Sequence, residues 1–356
     1  MKKLYKDIRF TKGILTLTAG LLIAGCSAED ELGNNSSAQQ LNMIPMVNDL
    51  QKSRANDEDA LHEKTLSKLD FKMFEPEFGE CCVNHQSPSP AENQAEVLGK
   101  NNWKVDLNLQ EDHSYNYYAV ANAQADLSKK TLEELQAATQ QDNDIWQPYP
   151  QAKDKKFLMS AKGQYIISKD PIQDIPVELV RAAAKIKLNL SSSVNGYNMT
   201  SVNWKFLNYN TNTSVFAGQT AKPNIVSNNE DNTVDKIEAN KCSVTTYSYS
   251  TTWTSQEDAP KIAVKVVFES KDNQNDTREK ELTIPVRDPK GEKKLERNYI
   301  YTVNADIKRL KDDINIDYDE ELGYLKWAIT KWTTGEDTEV DADKASYLVV
   351  YPTTLD

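Results

Sequence analysis

The sequence contains few of the residues from which catalytic and metal sites are usually built. It has three histidines, four cysteines and twelve glycines in 356 residues. It has no Gly-x-Ser-x-Gly elbow and no glycine loop of the kind that holds phosphate. His62-Glu63 begins like a zinc-protease helix, but Leu66 stands where the second histidine would have to be. We therefore expect no catalytic residues, no cofactor and no metal, and predict that the protein is not an enzyme.

The chain also lacks a surplus of positive charge. Its formal net charge is -12 and its pI is about 5.0, which argues against nucleic acid as a partner because phosphates bind basic surfaces. Residues 313–319 place oxygen-bearing side chains at alternate positions. An EF-hand would need glycine at Tyr318 and glutamate at Tyr324, so we interpret this segment as a strand or loop with its acids outward.

Long apolar runs are absent as well, apart from a short one near the N-terminus. Positive residues between Lys2 and Lys12 precede an apolar stretch at 13–25, which is too short to span a membrane and is typical of a secretory signal. It ends in Leu22-Ile23-Ala24-Gly25-Cys26, which resembles the bacterial lipobox, where the cysteine is lipidated before cleavage. We predict a signal peptide at residues 1–25 and a lipid on Cys26.

Three cysteines remain after Cys26. Cys81 and Cys82 are adjacent and do not readily bridge each other, whereas a disulfide between Cys82 and Cys242 would suit an oxidising compartment. Free or packed thiols are the other interpretation, and the sequence leaves both open.

The rest of the chain has the pattern of an antiparallel β-sandwich protein. Thr, Tyr, Val, Ile and Asn are plentiful, and the length favours two domains. Alternation of apolar and polar residues predicts strands at 103–109, 115–120, 184–190, 202–207, 262–268, 280–286 and 299–307. Ser128 is expected to cap a helix at 129–139. Residues 157–160 and 165–167 are expected to form a hairpin, and Pro171 and Pro176 to mark a linker.

The segment before the first domain combines an apolar run with an exposed loop. Leu41, Met43, Ile44, Met46 and Val47 could form one strand, with Pro45 placed where no ladder hydrogen bond is needed. Arg54 follows in a hydrophilic stretch and is the only arginine between Arg9 and Arg181. A cut between Arg54 and Ala55 by an arginine-specific protease would remove the lipid and this strand together. Lys52 is an alternative basic site.

A second unusual strand lies at residues 347–351. A strand with one wet face alternates apolar and polar residues, but here both faces are apolar and favour burial on both sides. Either it is the last strand of its own domain, or it inserts into a neighbouring molecule's sheet by β-augmentation. Its residues are Tyr347, Leu348, Val349, Val350 and Tyr351.

Taken together, these segments resemble the fimbrillin family of type V pilus subunits over nearly the whole chain. Cys26 and Arg54 match the lipidated and processed positions, and residues 118–123 and 157–160 resemble first-domain strands. Residues 180–186 resemble the opening strand of the second domain. Residues 295–303 resemble the family's Arg-Asn-His-x-Tyr strand, with Tyr299 in place of the histidine, and Trp332 and residues 347–350 complete the pattern.

The resemblance implies a mainly β protein with two transthyretin-like antiparallel β-sandwiches and a short helix in the first. We place the propeptide with its removable strand at 26–54, the N-terminal sandwich at 55–177 and the C-terminal sandwich with its donor strand at 178–356. It also implies an outer membrane lipoprotein precursor that is matured by an arginine-specific protease. The mature chain would join other copies of itself and accessory subunits in a cell-surface fimbrium that supports adhesion.

Two other functions remain open at this stage. One is a permanently lipidated pilus anchor, which would not need Arg54. The other is a surface lipoprotein that binds glycan or protein ligands, with Trp103, Trp146, Trp204 and Trp253 as candidate stacking residues, although tryptophans in sandwiches more often belong to the core.

Overall fold

The computed structural model describes residues 39–47, 63, 65–87, 103–107, 109–148, 156–170, 172–286, 292–310 and 322–331. Strands dominate these residues, with one short α-helix, α1 (Leu132–Gln136), and 3-10 turns at Glu63 and at Gln256–Asp258. The strands are β1 Gln39–Val47, β2 Leu69–Phe74, β3 Cys81–Ser87, β4 Trp103–Leu107, β5 Ser114–Ala121, β6 Thr139–Gln141, β7 Met159–Ile166, β8 Ile172–Arg181, β9 Ala183–Ser192, β10 Tyr197–Leu207, β11 Tyr209–Asn210, β12 Asn212–Ser214, β13 Ile225–Val226, β14 Asn232–Thr233, β15 Lys241–Tyr249, β16 Thr251–Thr252, β17 Lys261–Ser270, β18 Thr277–Pro285, β19 Lys294–Leu295, β20 Tyr299–Ile307 and β21 Leu322–Lys331.

The larger sheets repeat one order of strands in the two halves of the chain. The first half forms a seven-stranded sheet, β3-β2-β5-β7-β8-β1-β4, while the second half forms two sheets, β14-β10-β17-β18 and β15-β9-β20-β21. The ladder between β7 and β8 is only two pairs long, so the seven-stranded sheet consists of β3-β2-β5-β7 and β4-β1-β8 joined at a narrow seam. These two parts match the two sheets of the second half strand for strand, with β21 as an addition.

The first strand of each half therefore occupies the same kind of position. β1 lies between antiparallel β4 and parallel β8, and β9 lies between antiparallel β15 and parallel β20. The prediction of a mainly β protein with antiparallel sheets is confirmed. The division into two transthyretin-like sandwiches stays a prediction.

The expected linker around Pro171 and Pro176 is wrong where the structure describes it. Pro176 lies inside β8, which runs without interruption to Arg181. The alternation of exposed and buried residues along β8 is that of a strand with one face in the core, and this pattern outweighs the proline. The predicted domain boundary at 177/178 also falls within this strand.

The predicted helix at 129–139 is shorter than expected and begins later. Thr131, rather than Ser128, is the N-cap, and it forms a capping box with Glu134. The helix ends at Gln136 because residues 139–141 form β6 and pair with β12.

The expected hairpin between 157–160 and 165–167 is a single strand, β7. Gly163 lies directly opposite Tyr117 of β5, whose ring covers it so closely that a Cβ would come within 2.8 Å of the ring. The tyrosine also stacks on Phe71 of β2, with 6.1 Å between ring centroids. The glycine is therefore a place of close packing rather than a turn.

Aromatic side chains connect the sheets through the core. Phe157 packs on Tyr247 at 4.8 Å, and Tyr118 meets Phe216 edge-on at 5.3 Å. Ala182, Ala183 and Ala184, where the chain passes from β8 into β9, are also buried. No helix among the described residues has the length and apolar character needed to cross a membrane.

Candidate functional site

The candidate site is built around β1, which lies inside a sheet rather than at its edge. Its parallel ladder with β8 has eight paired positions, from Gln40 opposite Ile172 to Val47 opposite Leu179. On the other side, five positions pair with β4, ending at Met43 opposite Trp103. The Met43 side chain is 0% exposed, so β1 contributes to the hydrophobic core.

The wall that β1 covers is formed by β8. Ile175, Val177 and Leu179 alternate along it and are buried in the core. If β1 were absent, β8 would present an open backbone edge beside this apolar surface, and β4 would lose its only ladder among the described strands. We call this space the β1 groove, bounded by β8 and β4.

All five predicted residues of the removable strand lie in β1. Leu41, Met43, Ile44, Met46 and Val47 stand opposite Gln173, Ile175, Pro176, Glu178 and Leu179 of β8. The ladder to β4 ends at Met43, so Pro45 lies beyond it, as its missing N–H would favour. That β1 is removed during maturation stays a prediction.

The remaining predicted site residues lie outside the described residues. They are Cys26, Lys52, Arg54, Ala55, and Tyr347, Leu348, Val349, Val350 and Tyr351 of the predicted donor strand. Residues 313–319, considered above as a cation-binding segment, also lie outside them.

Val47 and Glu63, the described residues on either side of Arg54 in the sequence, both contact β8. Val47, the last residue of β1, pairs with Leu179 of β8. Arg181, two residues further along β8, donates from Nε to the backbone carbonyl of Glu63 at 2.8 Å. Two residues of a strand span about 7 Å, so Val47 and Glu63 both contact the C-terminal end of β8, Val47 through its backbone and Glu63 through the Arg181 side chain.

Glu63 is the centre of a buried ionic cluster that sequence reasoning missed. It is 1% exposed, and Lys185 Nζ lies 3.0 Å from each carboxylate oxygen. The Tyr247 hydroxyl also donates to this carboxylate. One signal was present in the sequence, since Arg181 and Lys185 flank three alanines in an apolar run, and buried bases need an acidic partner.

Residues 295–303, which resemble the fimbrillin Arg-Asn-His-x-Tyr strand, have a structural role. Asn298 adopts a left-handed φ of 62°, and its N–H donates to Ala183 O at 2.8 Å. The Tyr301 hydroxyl accepts from the Glu296 N–H at 2.8 Å, five residues earlier. The Tyr115 hydroxyl in the first half accepts in the same way from the Gln110 N–H at 3.2 Å. The same hydrogen bond, from a backbone N–H to the hydroxyl of a tyrosine five residues later, therefore occurs in both halves.

The three described cysteines are free thiols. Cys81 and Cys82 are exposed on β3, whereas Cys242 is half-buried on β15 of a different sheet. Burial raises the pKa of Cys242 to about 11. Within the described segments, no three His, Cys, Asp or Glu side chains are grouped as metal ligands.

Comparison of structures finds solved proteins with the same fold, whereas comparison of sequences finds no related protein. No protein-family model matches the chain, and no curated protein matches it in sequence. A candidate cell adhesion protein from Parabacteroides distasonis is similar, with a TM-score of 0.57, 16% identity and coverage of 83% of this chain and 97% of that one.

Two structures from Porphyromonas gingivalis are similar to a comparable degree. One is a tip fimbrial protein with a C-terminal truncation, with a TM-score of 0.52, 15% identity and coverage of 83% and 99% of the two chains. The other is a fimbrilin, with a TM-score of 0.52, 13% identity and coverage of 84% and 99%. The chain thus has a fimbrillin-like fold, shared along nearly the full length of these structures.

Proposed function

We propose that the protein is a stalk subunit of a cell-surface pilus that polymerises by strand replacement. In this account the precursor is carried to the outer surface on the lipid of Cys26 and is cut between Arg54 and Ala55. β1 then leaves the β1 groove, and residues 347–351 of another subunit enter it. The fimbrillin-like fold supports this class of function, because fimbrial proteins are among its structural neighbours.

The observation that carries the proposal is the position of β1. It is a central strand with a buried Met43, and both Val47 at its end and Glu63, the next described residue, contact β8 near the C-terminal end of that strand. A single cut between Val47 and Glu63 would free a complete core strand at one end, while β8 would keep its ladder to β7. The vacated edge of β8 would then offer backbone hydrogen bonds and apolar contacts to an incoming strand.

Proteolysis, rather than affinity, would control the exchange. Burying a side chain such as Leu348 contributes roughly 1.5–3 kcal/mol, whereas ordering its backbone costs about 1–2 kcal/mol per residue. An incoming strand therefore has little advantage over a resident strand that is covalently attached. Cutting the chain removes the advantage of attachment, because β1 can then dissociate.

The ligand-binding alternative finds little support in the tryptophans. Trp204 and Trp253 are buried, at 4% and 8% exposure, and Trp146 packs edge-on against Trp204 with 6.2 Å between ring centroids. Trp204 and Trp253 are therefore parts of the core and are not available to stack on a ligand, while Trp146 is partly buried against that core.

The proposal is tested by cutting the purified precursor with an arginine-specific protease and looking for polymer ladders on gels run without boiling. We expect ladders from the wild type and from the matched control Lys52→Ala, and none from Arg54→Ala. Ladders from the Arg54→Ala variant would contradict the proposal, as would a wild-type protein that is cut at Arg54 and stays monomeric.

A further inference from the structure

The segment just before β2 is fixed by an unusual number of buried polar contacts. Glu63 takes three of them from three different strands. Arg181 of β8 donates to its backbone carbonyl at 2.8 Å, Lys185 of β9 pairs with its carboxylate at 3.0 Å, and Tyr247 of β15 donates to the same carboxylate. Glu63 therefore ties this segment to both the β8-containing and the β9-containing sheets.

Asn122, at the end of β5, holds the following residues. Its side-chain oxygen accepts from Ser67 N–H at 2.9 Å, and its side-chain nitrogen donates to Thr65 O at 2.8 Å and to Phe157 O at 2.9 Å. Its own N–H donates to Lys68 O at 3.0 Å. We call Glu63 and residues 65–68 the anchor segment.

The buried Glu63 carboxylate is paired with Lys185 and hydrogen-bonded by Tyr247, and this makes the cluster costly to open. A buried carboxylate is stable only when it is paired and hydrogen-bonded, and removing one partner leaves an uncompensated buried charge. Lys185 and Arg181 are themselves buried, at 6% and 0% exposure. Withdrawing Glu63 would therefore leave two buried bases without this carboxylate and this carbonyl.

The cluster lies close to the end of β1, which connects it to the proposed exchange of that strand. The proposed cut at Arg54 lies between β1 and the anchor segment. β1 has its last pair at Leu179, and Arg181, two residues further along β8, bonds Glu63, the first residue of the anchor segment. The chain on one side of the cut is held by a strand ladder, and the chain on the other side is held by buried ionic contacts.

We propose that Glu63 is a positioning residue that fixes the N-terminal end of the mature subunit. This inference rests on the proposed function. After cleavage, β1 leaves, but the anchor segment stays in the core and closes the end of the β1 groove beside Leu179. Without the anchor, the new end would withdraw toward β2 and the groove would lose its boundary.

The test is to trim the cut subunit with an aminopeptidase and to find the stopping point by mass spectrometry. Residues 52–55 are replaced by the site of a sequence-specific protease, so the cut does not depend on Arg54 being recognised. We expect the wild-type background to stop at or before Glu63. We expect Glu63→Ala to be trimmed to within a few residues of Leu69. The matched control Glu281→Ala, an exposed glutamate of β18 in a different sheet, should stop where the wild type stops.

A second measurement separates anchoring from general stability. If Glu63 only stabilises the fold, Glu63→Ala lowers Tm equally before and after the cut. If Glu63 anchors the new N-terminal end, Glu63→Ala should lower Tm more in the cut form than in the uncut form. In the uncut chain, this segment is still held through its covalent connection to β1. Equal falls in Tm, or trimming that passes Glu63 in the wild-type background, would overturn the inference.

Should Glu63→Ala fail to fold, Tyr247→Phe removes only one donor to the carboxylate. We expect it to shift trimming toward β2 in part, and trimming unchanged from the wild type would overturn the inference. Neither readout requires polymers. A subunit that keeps its anchor but forms no ladders would therefore count against the proposed function alone.

Discussion

Met43 of β1 lies opposite Ile175 of β8 in a parallel ladder, and the two side chains are 0% and 1% exposed. A segment that comes before the proposed cleavage site is thus a structural part of the core. Its loss would uncover apolar surface that water penalises. The cut subunit is therefore expected to need a replacement strand, which is the driving force for assembly in this account.

Truncating the core contact of β1 should weaken the precursor and ease the exchange. We expect Met43→Ala to lower the free energy of unfolding by about 2–5 kcal/mol, as is usual for a buried methionine, and to speed ladder formation after the cut. Urea unfolding and gel densitometry measure the two effects. Ile172→Ala, at a side chain that is 59% exposed, is the control. Equal effects from both variants would contradict the assigned role of Met43.

Charges in the predicted donor strand should block assembly without unfolding the subunit. We expect the double variant Leu348→Asp/Val350→Asp to abolish ladders after cleavage, because carboxylates are costly to bury in an apolar groove. The Tm of its uncut precursor should equal that of the wild type. A lower Tm in the uncut form would indicate that residues 347–351 belong to the subunit's own core.

Asn122 should be sensitive both to its backbone conformation and to its side chain. Its φ of 60° is left-handed, and its amide makes the contacts to Ser67, Thr65 and Phe157 described above. We expect Asn122→Ala to cost at least about 3 kcal/mol of unfolding free energy, from lost hydrogen bonds and left-handed strain.

Asn122→Gly separates the two contributions in the same unfolding experiment. Glycine adopts positive φ without strain, so this variant should be about 1 kcal/mol more stable than Asn122→Ala. If glycine and alanine were equally destabilising, the strain argument would be wrong.

The thiol of Cys242 should react slowly at neutral pH. Burial raises its pKa from 9.0 to about 11, which favours the protonated form. Because the thiolate is the nucleophile, alkylation at pH 8 should be about 100-fold slower than for a thiol with the ordinary pKa. The rate should rise about tenfold per pH unit until pH approaches the raised pKa. Peptide mapping after iodoacetamide treatment measures it, with free cysteine in the same buffer as the reference thiol.

The strands were predictable where the pattern was local. Alternation along β20 gives its bounds, residues 299–307, to the residue. β8 was missed because Pro176 suggests a linker, while the burial of Val177 and Leu179 depends on β1, more than a hundred residues earlier in the chain. The sequence predicts a hairpin where the structure has the single strand β7, because a glycine at position 163 suggests a turn. The need for glycine there comes from the ring of Tyr117 on the neighbouring strand.

The candidate site, too, was predictable from the sequence only where the pattern was local. The run at 41–47 indicated a strand from its composition alone, but its parallel pairing with β8 depends on tertiary structure. In the sequence, Glu63 follows His62 in a motif that lacks the second zinc ligand, and its neighbours give no sign of its structural role. Its role depends on Lys185 and Tyr247, which are distant in sequence, so the three residues could not be connected without the structure.

The most direct test of the account is the N-terminus of the protein sheared from the cell surface, determined by mass spectrometry. The account predicts that the assembled protein begins at Ala55, which would mean that the lipid and β1 have both been discarded. A bulk population that begins at a lipidated Cys26 would contradict it, because the tether would then be permanent and β1 would still fill its groove.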